Sequence, residues 1–550
     1  MRSGPMKTCL SLFLFGVIAV AQVRYEDILK GPGEDWTTYA GNYQGWRYSP
    51  LKQITVQNAG SMVPKWAYHV PDANGLRTSP IVYKGVMYVT DSNSLYALDA
   101  RTGRSIWTYH DSKAKKKGVN RGAAILGDSV YFTTTDNYLV SLDRQTGDLL
   151  FSKKFGEVDK GTTSTSAPFA VKDKILVGSA GGDSGMRGFI VALSAKTGDE
   201  LWRTWTVPAK GEPGSETWSD LHEWGGAGTW LSGTFDPDTN TLFWTTGNPW
   251  PDFAGAPRLG NDLYTCSLLA LDLDTGKLKW YFQFTPHDTH DWDAQSWPVL
   301  VEIPWKDAHG VTAMRKVVLH ANRNGFFYVL DRATGEFLRG TQLIDKQTWA
   351  KGLDDTGHPV LLPGKDPTPE GNWVCPSIKG GTNWMGQSYN PGTGLLYVLT
   401  LEECGMFTTS TQKPVPMKNF AGGGATEPGG QVVLRAIDPK TGKRAWEYPM
   451  TGSAKMWTGT VSTAAGVLFT GDDDGHMLAL DAKTGRHLWH FNAGDLMTAS
   501  PITYEVDGKQ YVAIAAGTNV FAFGLFEPMQ STPLPKITRG AGSRPAEREP

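Results

Sequence analysis

Seven consecutive residues, His287-Asp288-Thr289-His290-Asp291-Trp292-Asp293, carry three carboxylates and two imidazoles in a chain that is only 20% charged. A carboxylate in such a stretch can take the proton of a substrate hydroxyl as a general base. Asp291 and Asp293, two residues apart, can also hold a hard cation, which prefers oxygen ligands. The imidazoles leave another chemistry open, because paired histidines suit Zn²⁺ or Fe²⁺. In the alternative, His287 and His290 only hydrogen-bond around an oxygen-ligated centre, and Asp288 structures the loop.

Other segments rich in small and polar residues stand apart from their surroundings. Gly118-Val119-Asn120-Arg121-Gly122 sets one arginine near glycines, and the run from Gly178 to Gly188 turns around Asp183. Trp230 follows a run of small residues, Thr246-Gly247-Asn248-Pro249 follows an apolar strand, and Ala321-Asn322-Arg323-Asn324-Gly325 precedes one.

These segments must be held by what lies between them, and that is a repeat. An alternating apolar strand, a D-x-x-T-G turn and a strand that usually carries Trp recur seven times. The copies centre on Asp99, Asp143, Ser194, Asp272, Asp331, Asp438 and Asp481. Alternation predicts half-buried strands. Asp can accept from the backbone two residues on, and Gly supplies the positive-φ position, so the phrase is a hairpin turn. The Trp four residues after the Gly is a flat surface for the neighbouring sheet. Such units cannot bury their faces alone, so they stack; four strands per unit arranged radially give a β-propeller. The gaps between copies run from one blade's length to the long stretch between Asp331 and Asp438, which needs inserted loops or a decayed blade. Lys65-Trp66-Ala67-Tyr68 and the stretch from Tyr511 to Phe523 can close the ring as one more unit. The expectation is an all-β, eight-bladed propeller.

Formal net charge is −2, which gives no basic field for nucleic acid. Arg2 and Lys7 precede an apolar run from Leu10 to Val20, and Ala19-Val20-Ala21 fits a small-x-small cleavage site. Residues 1–21 therefore read as a signal peptide cleaved after Ala21, with a retained anchor as the alternative and the periplasm as the expected location. Residues 22–527 form the propeller domain, with no transmembrane span after cleavage, and residues 528–550 are expected to be a disordered tail. Cys375 and Cys404 can close a disulfide in an oxidising compartment, leaving Cys266 as a buried thiol. The sequence contains no C-x-x-C-H, so no covalent haem is expected.

From about Asp35 to Leu525 the chain resembles the PQQ-dependent alcohol dehydrogenases, the quinoprotein family that includes the methanol dehydrogenase large subunit. Asp35-Trp36, Tyr48-Ser49-Pro50-Leu51, Gly85-Val86-Met87-Tyr88-Val89, Val119-Asn120-Arg121-Gly122, the T-G-N-P segment and Thr285-Pro286-His287-Asp288 match in order. The resemblance implies an eight-bladed propeller with PQQ on its axis, and it identifies the repeat as the family's tryptophan-docking motif. It implies Asp291 as the base that takes the alcohol proton and Arg323 as the cation on the quinone oxygens. It implies Trp230 as the stacking surface and Arg121, Thr165, Gly181, Gly182, Asn383 and Trp457 as further cofactor contacts. Asp183, Asn248 and Asp291 become metal ligands, and Cys375 and Cys404 match a family disulfide. The implied partners are a small alcohol and a soluble cytochrome c or similar electron acceptor.

Four departures from the family pattern matter. Asp183 stands where the family usually has a Glu ligand. Asp293 adds a carboxylate that the family associates with lanthanide enzymes, which puts a lanthanide(III) ahead of Ca²⁺. Lys115 and Lys116 replace an adjacent cysteine pair. Arg77 replaces a frequent Glu. Two other readings stay open: a non-catalytic envelope scaffold, and a PQQ-dependent dehydrogenase of sugars, polyols or aldehydes. Asp472-Asp473-Asp474-Gly475 reads as a surface turn.

Overall fold

The computed structural model describes residues 22–527 apart from positions 72, 115, 220, 221, 308, 418, 419, 453, 454, 456 and 457. The expected signal peptide, the expected tail, Lys115 and Trp457 lie outside the described residues.

Eight four-stranded antiparallel sheets follow one another along the chain. The first seven span residues 81–110, 124–154, 169–205, 234–283, 299–342, 388–449 and 461–492. The eighth joins the two ends of the domain: Ile502–Val506, Lys509–Ala516 and Asn519–Leu525 are completed by Met62–His69, which pairs from Met62↔Leu525 to His69↔Asn519. Pairing of this early strand with the last three ties the two ends of the domain together and closes the ring. Tyr48–Ser49 adds a short parallel strand to the seventh sheet. Asp331 and Asp438 belong to two consecutive blades, with no decayed blade between them among the described residues. What lengthens the stretch between them is two small added sheets, one of Ala350–Leu353 with Pro359–Leu361, the other of Asn372–Val374, Gly405–Thr409 and Gly423–Thr426.

The repeat forms as its residues require. Asp99 Oδ1 accepts from the backbone N–H of Arg101 (2.9 Å) and Thr102 (3.0 Å), and Asp143 does the same for Gln145 and Thr146. Trp66, Trp107, Trp202, Trp280 and Trp446 each lie against the turn glycine of the next blade. Trp66 Nε1 donates to Ala100 O (3.1 Å), Trp202 to Leu273 O (2.9 Å) and Trp446 to Ala482 O (3.1 Å). A Cβ on Gly276, whose φ is +68°, would stand 2.5 Å from the Trp202 ring. Only glycine meets both the backbone and the packing there.

Strand alternation then decides where function can sit. The D-x-x-T-G turns join the third and fourth strands of a blade and face one end of the ring. Loops between the second and third strands, and crossings between blades, emerge at the other end. The segments singled out outside the repeat fall on those loops and crossings. Among the described residues, no helix is long and apolar enough to cross a membrane.

Candidate active site

One cavity of about 500 Å³ opens at that end of the ring. Arg121 comes from the crossing between the first two blades, Thr165 from the next crossing and Trp230 from the third. Gly181, Gly182 and Asp183 sit on a loop of the third blade, Asn248 on the matching loop of the fourth and Arg323 on that of the fifth. Asp291 and Asp293 lie on the crossing from the fourth to the fifth blade, and Asn383 on the crossing from the fifth to the sixth. Every described residue expected at the site therefore lines one cavity.

Its acidic side is organised by Arg323. Arg323 Nη1 donates to Asp293 Oδ2 at 2.6 Å, and Nη2 donates to the Ile378 carbonyl at 2.6 Å and lies 3.5 Å from Asp291 Oδ2. Asp293 Oδ2 also accepts from Trp230 Nε1 (3.2 Å), and its Oδ1 accepts from the backbone N–H of Asn248 (2.6 Å). A carboxylate offers about four lone-pair sites, so these three donors leave Asp293 room for roughly one more partner. Asn248 is oriented from behind, its Nδ2 donating to Asp252 Oδ1 at 2.9 Å. Gly182 lines the cavity beside Asn248.

Four carboxylates crowd the region. Burial pushes Asp291 well above the usual carboxylate range, and Asp293 and Asp183 push it further against the pull of Arg323. Burial raises Asp252 strongly as well, with Asp183 and Asp291 adding to it. Asp183 is open to solvent at the cavity but walled by protein, which with Asp293 pushes it up to about 6. Clustered acids of this kind are what a bound cation relieves, and their oxygen donors suit a hard ion; as the described residues stand, no three of His, Cys, Asp or Glu are grouped closely enough to hold one.

The opposite wall is basic and aromatic. The Arg121 guanidinium lies 4.7 Å from the Trp230 ring centroid and 4.8 Å from that of Trp384, and its Nη1 donates to Thr165 O (3.1 Å). Burial pulls its pKa down to about 10, and the nearby charge of Arg77 adds to that. Arg121 Nε is buried without a hydrogen-bond partner among the described residues. A buried cation between two indole faces fits a flat anion such as the tricarboxylate quinone expected here. Lys116, on the loop that departs from the family's cysteine pair, is exposed.

The catalytic-loop candidates are held by groups with no local sequence signal. Asp288 accepts from the backbone N–H of His290 and Trp292, as expected of a loop-structuring residue. Fully buried Arg258 donates to Asp262 Oδ2 (2.6 Å) and to Asp288 O (2.5 Å). His290 stacks on Trp292 with centroids 4.3 Å apart and meets Lys365 O through Nε2, while His287 Nδ1 meets Gly260 O (2.7 Å). These contacts match the hydrogen-bonding role for both histidines. Asp291 itself holds a left-handed φ of 59°, a strained position of the sort that gathers at working sites. Sequence reasoning missed Trp384, Lys379 and Ile378 in the cavity wall, as well as Asp252 and Arg258 behind it. Trp384 follows Asn383 and lies outside the repeat spacing, which is the one signal that could have found it.

Comparison with known proteins agrees with this fold. Residues 36–344 and 449–512 match the PQQ family model, glucose/ethanol/alcohol dehydrogenase, beta-propeller domain. The chain is 37% identical to quinoprotein alcohol dehydrogenase PedH of Pseudomonas putida, over 92% of this chain and 90% of that protein. The solved quinohemoprotein alcohol dehydrogenase of Comamonas testosteroni superposes with a TM-score of 0.83 at 31% identity, covering 90% of this chain and 80% of that one. A europium-containing methanol dehydrogenase superposes with a TM-score of 0.84 at 28% identity, covering 91% and 100%.

Proposed function

The chain belongs to the PQQ-dependent alcohol dehydrogenases, and on that premise we propose that it is an exported enzyme oxidising an alcohol to an aldehyde, with PQQ and one metal ion in the axial cavity. One observation carries this reading: residues from eight separate loops and crossings, spread from Arg121 to Asn383, converge on a single cavity with an acidic side and a basic, aromatic side. When bound, PQQ supplies an electrophilic quinone that accepts hydride, and the metal ion supplies a Lewis acid that polarises it.

The protein's own part is positioning and proton transfer. Trp230 offers a flat face, and Arg121, Thr165 and Asn383 offer a cation, a hydroxyl and an amide to the carboxylates of the cofactor. Gly181 and Gly182 allow backbone to approach closely, and Trp457 is proposed as a further contact from the sequence alone. Asp291 takes the proton of the alcohol hydroxyl on a side-chain oxygen. Arg323 keeps its charge beside the place where negative charge develops. Asp183, Asn248, Asp291 and Asp293 hold the metal.

A lanthanide(III) is placed ahead of Ca²⁺. Asp183, Asp291 and Asp293 outnumber the one guanidinium among them, which favours a higher cation charge, and Asp293 has room to act as a single-oxygen ligand. The likeness to a europium-containing enzyme supports the same choice. The sequence pattern of residues 1–21 supports export to the periplasm. The missing haem motif supports electron transfer to a separate acceptor such as a soluble cytochrome c.

The test is reconstitution of metal-free, PQQ-free protein with PQQ and either La³⁺ or Ca²⁺, followed by dye reduction with a panel of alcohols, sugars and aldehydes. Activity with La³⁺ and a primary alcohol is expected. Activity with Ca²⁺ alone would reduce Asp293 to an anchor for Arg323. Turnover of sugars alone would replace the substrate class.

A further inference from the structure

We propose that Glu403 is a positioning residue for this reaction: it fixes the loop whose consecutive carbonyls hold both Arg323 and the neighbour of Asp291. The inference rests on the PQQ-dependent reading above.

Glu403 does not line the cavity. Its side chain is fully buried behind the wall. It accepts from Ser377 Oγ at 2.7 Å and pairs with Lys379 Nζ at 3.2 Å, and its backbone carbonyl accepts from the Ser377 N–H at 2.9 Å. The next residue, Cys404, is disulfide-bonded to Cys375. Residues 375–379 are thus fastened to residues 403–404 by a covalent bond, a backbone bond, a hydroxyl bond and an ion pair.

What the fastened segment presents is two successive carbonyls. Ser377 O accepts from Trp292 Nε1 at 2.9 Å, and Ile378 O accepts from Arg323 Nη2 at 2.6 Å. Trp292 follows Asp291 in the chain and is itself buried under His290. Gly381 N–H returns to Arg323 O at 2.8 Å, which closes the loop around the arginine. The spacing between the proposed base and the proposed quinone-facing cation is therefore set by adjacent carbonyls of one loop, and that loop is set by Glu403.

A buried ion pair is weak support for stability, because desolvation offsets the attraction. Its consequence here is geometric. Lys379 Nζ also meets Glu427 at 2.5 Å. Removing the charge of Glu403 takes away one of the acidic partners of Lys379, shifts the balance of its pairing toward Glu427 and lets the loop move with it. A misplacement of roughly 1 Å at such a site can cost about 100-fold in rate.

Glu403→Gln keeps the shape and removes the charge, and Ser377→Ala removes one bond to the carboxylate while leaving both carbonyls. PQQ uptake is read by quenching of tryptophan fluorescence, and the absorption band of bound PQQ reports the setting of Arg323. We expect kcat to fall roughly 10- to 100-fold in Glu403→Gln, and less in Ser377→Ala. The alcohol KM and the PQQ dissociation constant should stay within about twofold, the split that marks an interaction made in the transition state, and the absorption band should shift. If Glu403→Gln does not fold, Ser377→Ala decides by the same criteria. Unchanged kcat and an unshifted band in variants that hold PQQ would overturn the proposal. So would PQQ affinity falling in step with kcat, which would make Glu403 a support of the fold alone. Failure of the unaltered protein to take up PQQ would overturn the underlying reading instead.

Discussion

Replacing Asp291 by Asn separates proton transfer from architecture. The two side chains have nearly the same shape, and the left-handed backbone at position 291 (φ 59°) is one that Asn adopts as readily as Asp. Arg323 loses its longer contact, at 3.5 Å, but keeps Asp293 and the Ile378 carbonyl, each at 2.6 Å. The variant also removes one charge from a group of buried acids that raise one another's pKa. Global stability should therefore stay within about 1 kcal/mol of the unaltered protein, because no buried charge is left unpaired. Chemistry should change far more. A positioned general base contributes roughly 10²- to 10⁴-fold, or about 2.7–5.4 kcal/mol of barrier. The assay is dye-linked alcohol oxidation at saturating PQQ and metal, since Asp291 is also assigned to the ion, with thermal unfolding run alongside. A variant that holds PQQ and still turns over within about tenfold of the unaltered enzyme would refute the assignment of Asp291 as base.

Other consequences follow from the same geometry. Asp293→Asn exchanges the shorter of the two acidic contacts of Arg323 for an amide one, leaving Asp291 at 3.5 Å, and should cost about 1–3 kcal/mol in urea unfolding. It should also abolish any advantage of La³⁺ over Ca²⁺ in reconstitution, and an intact preference would remove Asp293 from the metal. Gly276→Ala puts a Cβ 2.5 Å from Trp202 at a φ of +68°. Strain and overpacking together predict a loss of about 2–5 kcal/mol with PQQ affinity retained, measured by thermal unfolding and PQQ titration. Burial holds His320 down to about 3 against an ordinary 6.5. The unfolded chain therefore binds that proton first, so stability is full above pH 6.5 and falls as the pH drops toward 3. His320→Gln should flatten the unfolding midpoint against pH between 6.5 and 4, and an unchanged slope would exclude His320 as a cause.

The blade count was legible because each copy carries its own turn chemistry. Even the copy with Ser194 in place of Asp keeps a side-chain oxygen that accepts from the Thr197 N–H (3.3 Å). The stretch between Asp331 and Asp438 was not decidable, because the inserted strands, such as Asn372–Val374 and Gly405–Thr409, follow no repeat. Most of the cavity residues were legible because they lie in short motifs of distinctive composition, at loops the propeller sends to one end, whereas Thr165 and Asn383 came from the family resemblance alone. Arg258, Asp252, Lys379 and Glu403 were not. Their roles come from burial and from partners far along the chain, such as Arg258 with Asp288 or Lys379 with Glu403, and nothing in their immediate sequence marks them.

The most direct measurement is a titration of the metal-reconstituted protein with PQQ, followed by quenching of tryptophan fluorescence, in the unaltered chain and in Trp230→Ala and Arg121→Ala. Binding of one PQQ per chain, weakened in both variants while their unfolding midpoints hold, is the predicted result. No saturable binding, or binding untouched by either substitution, would contradict the placement of PQQ in the axial cavity and return the propeller to a scaffold.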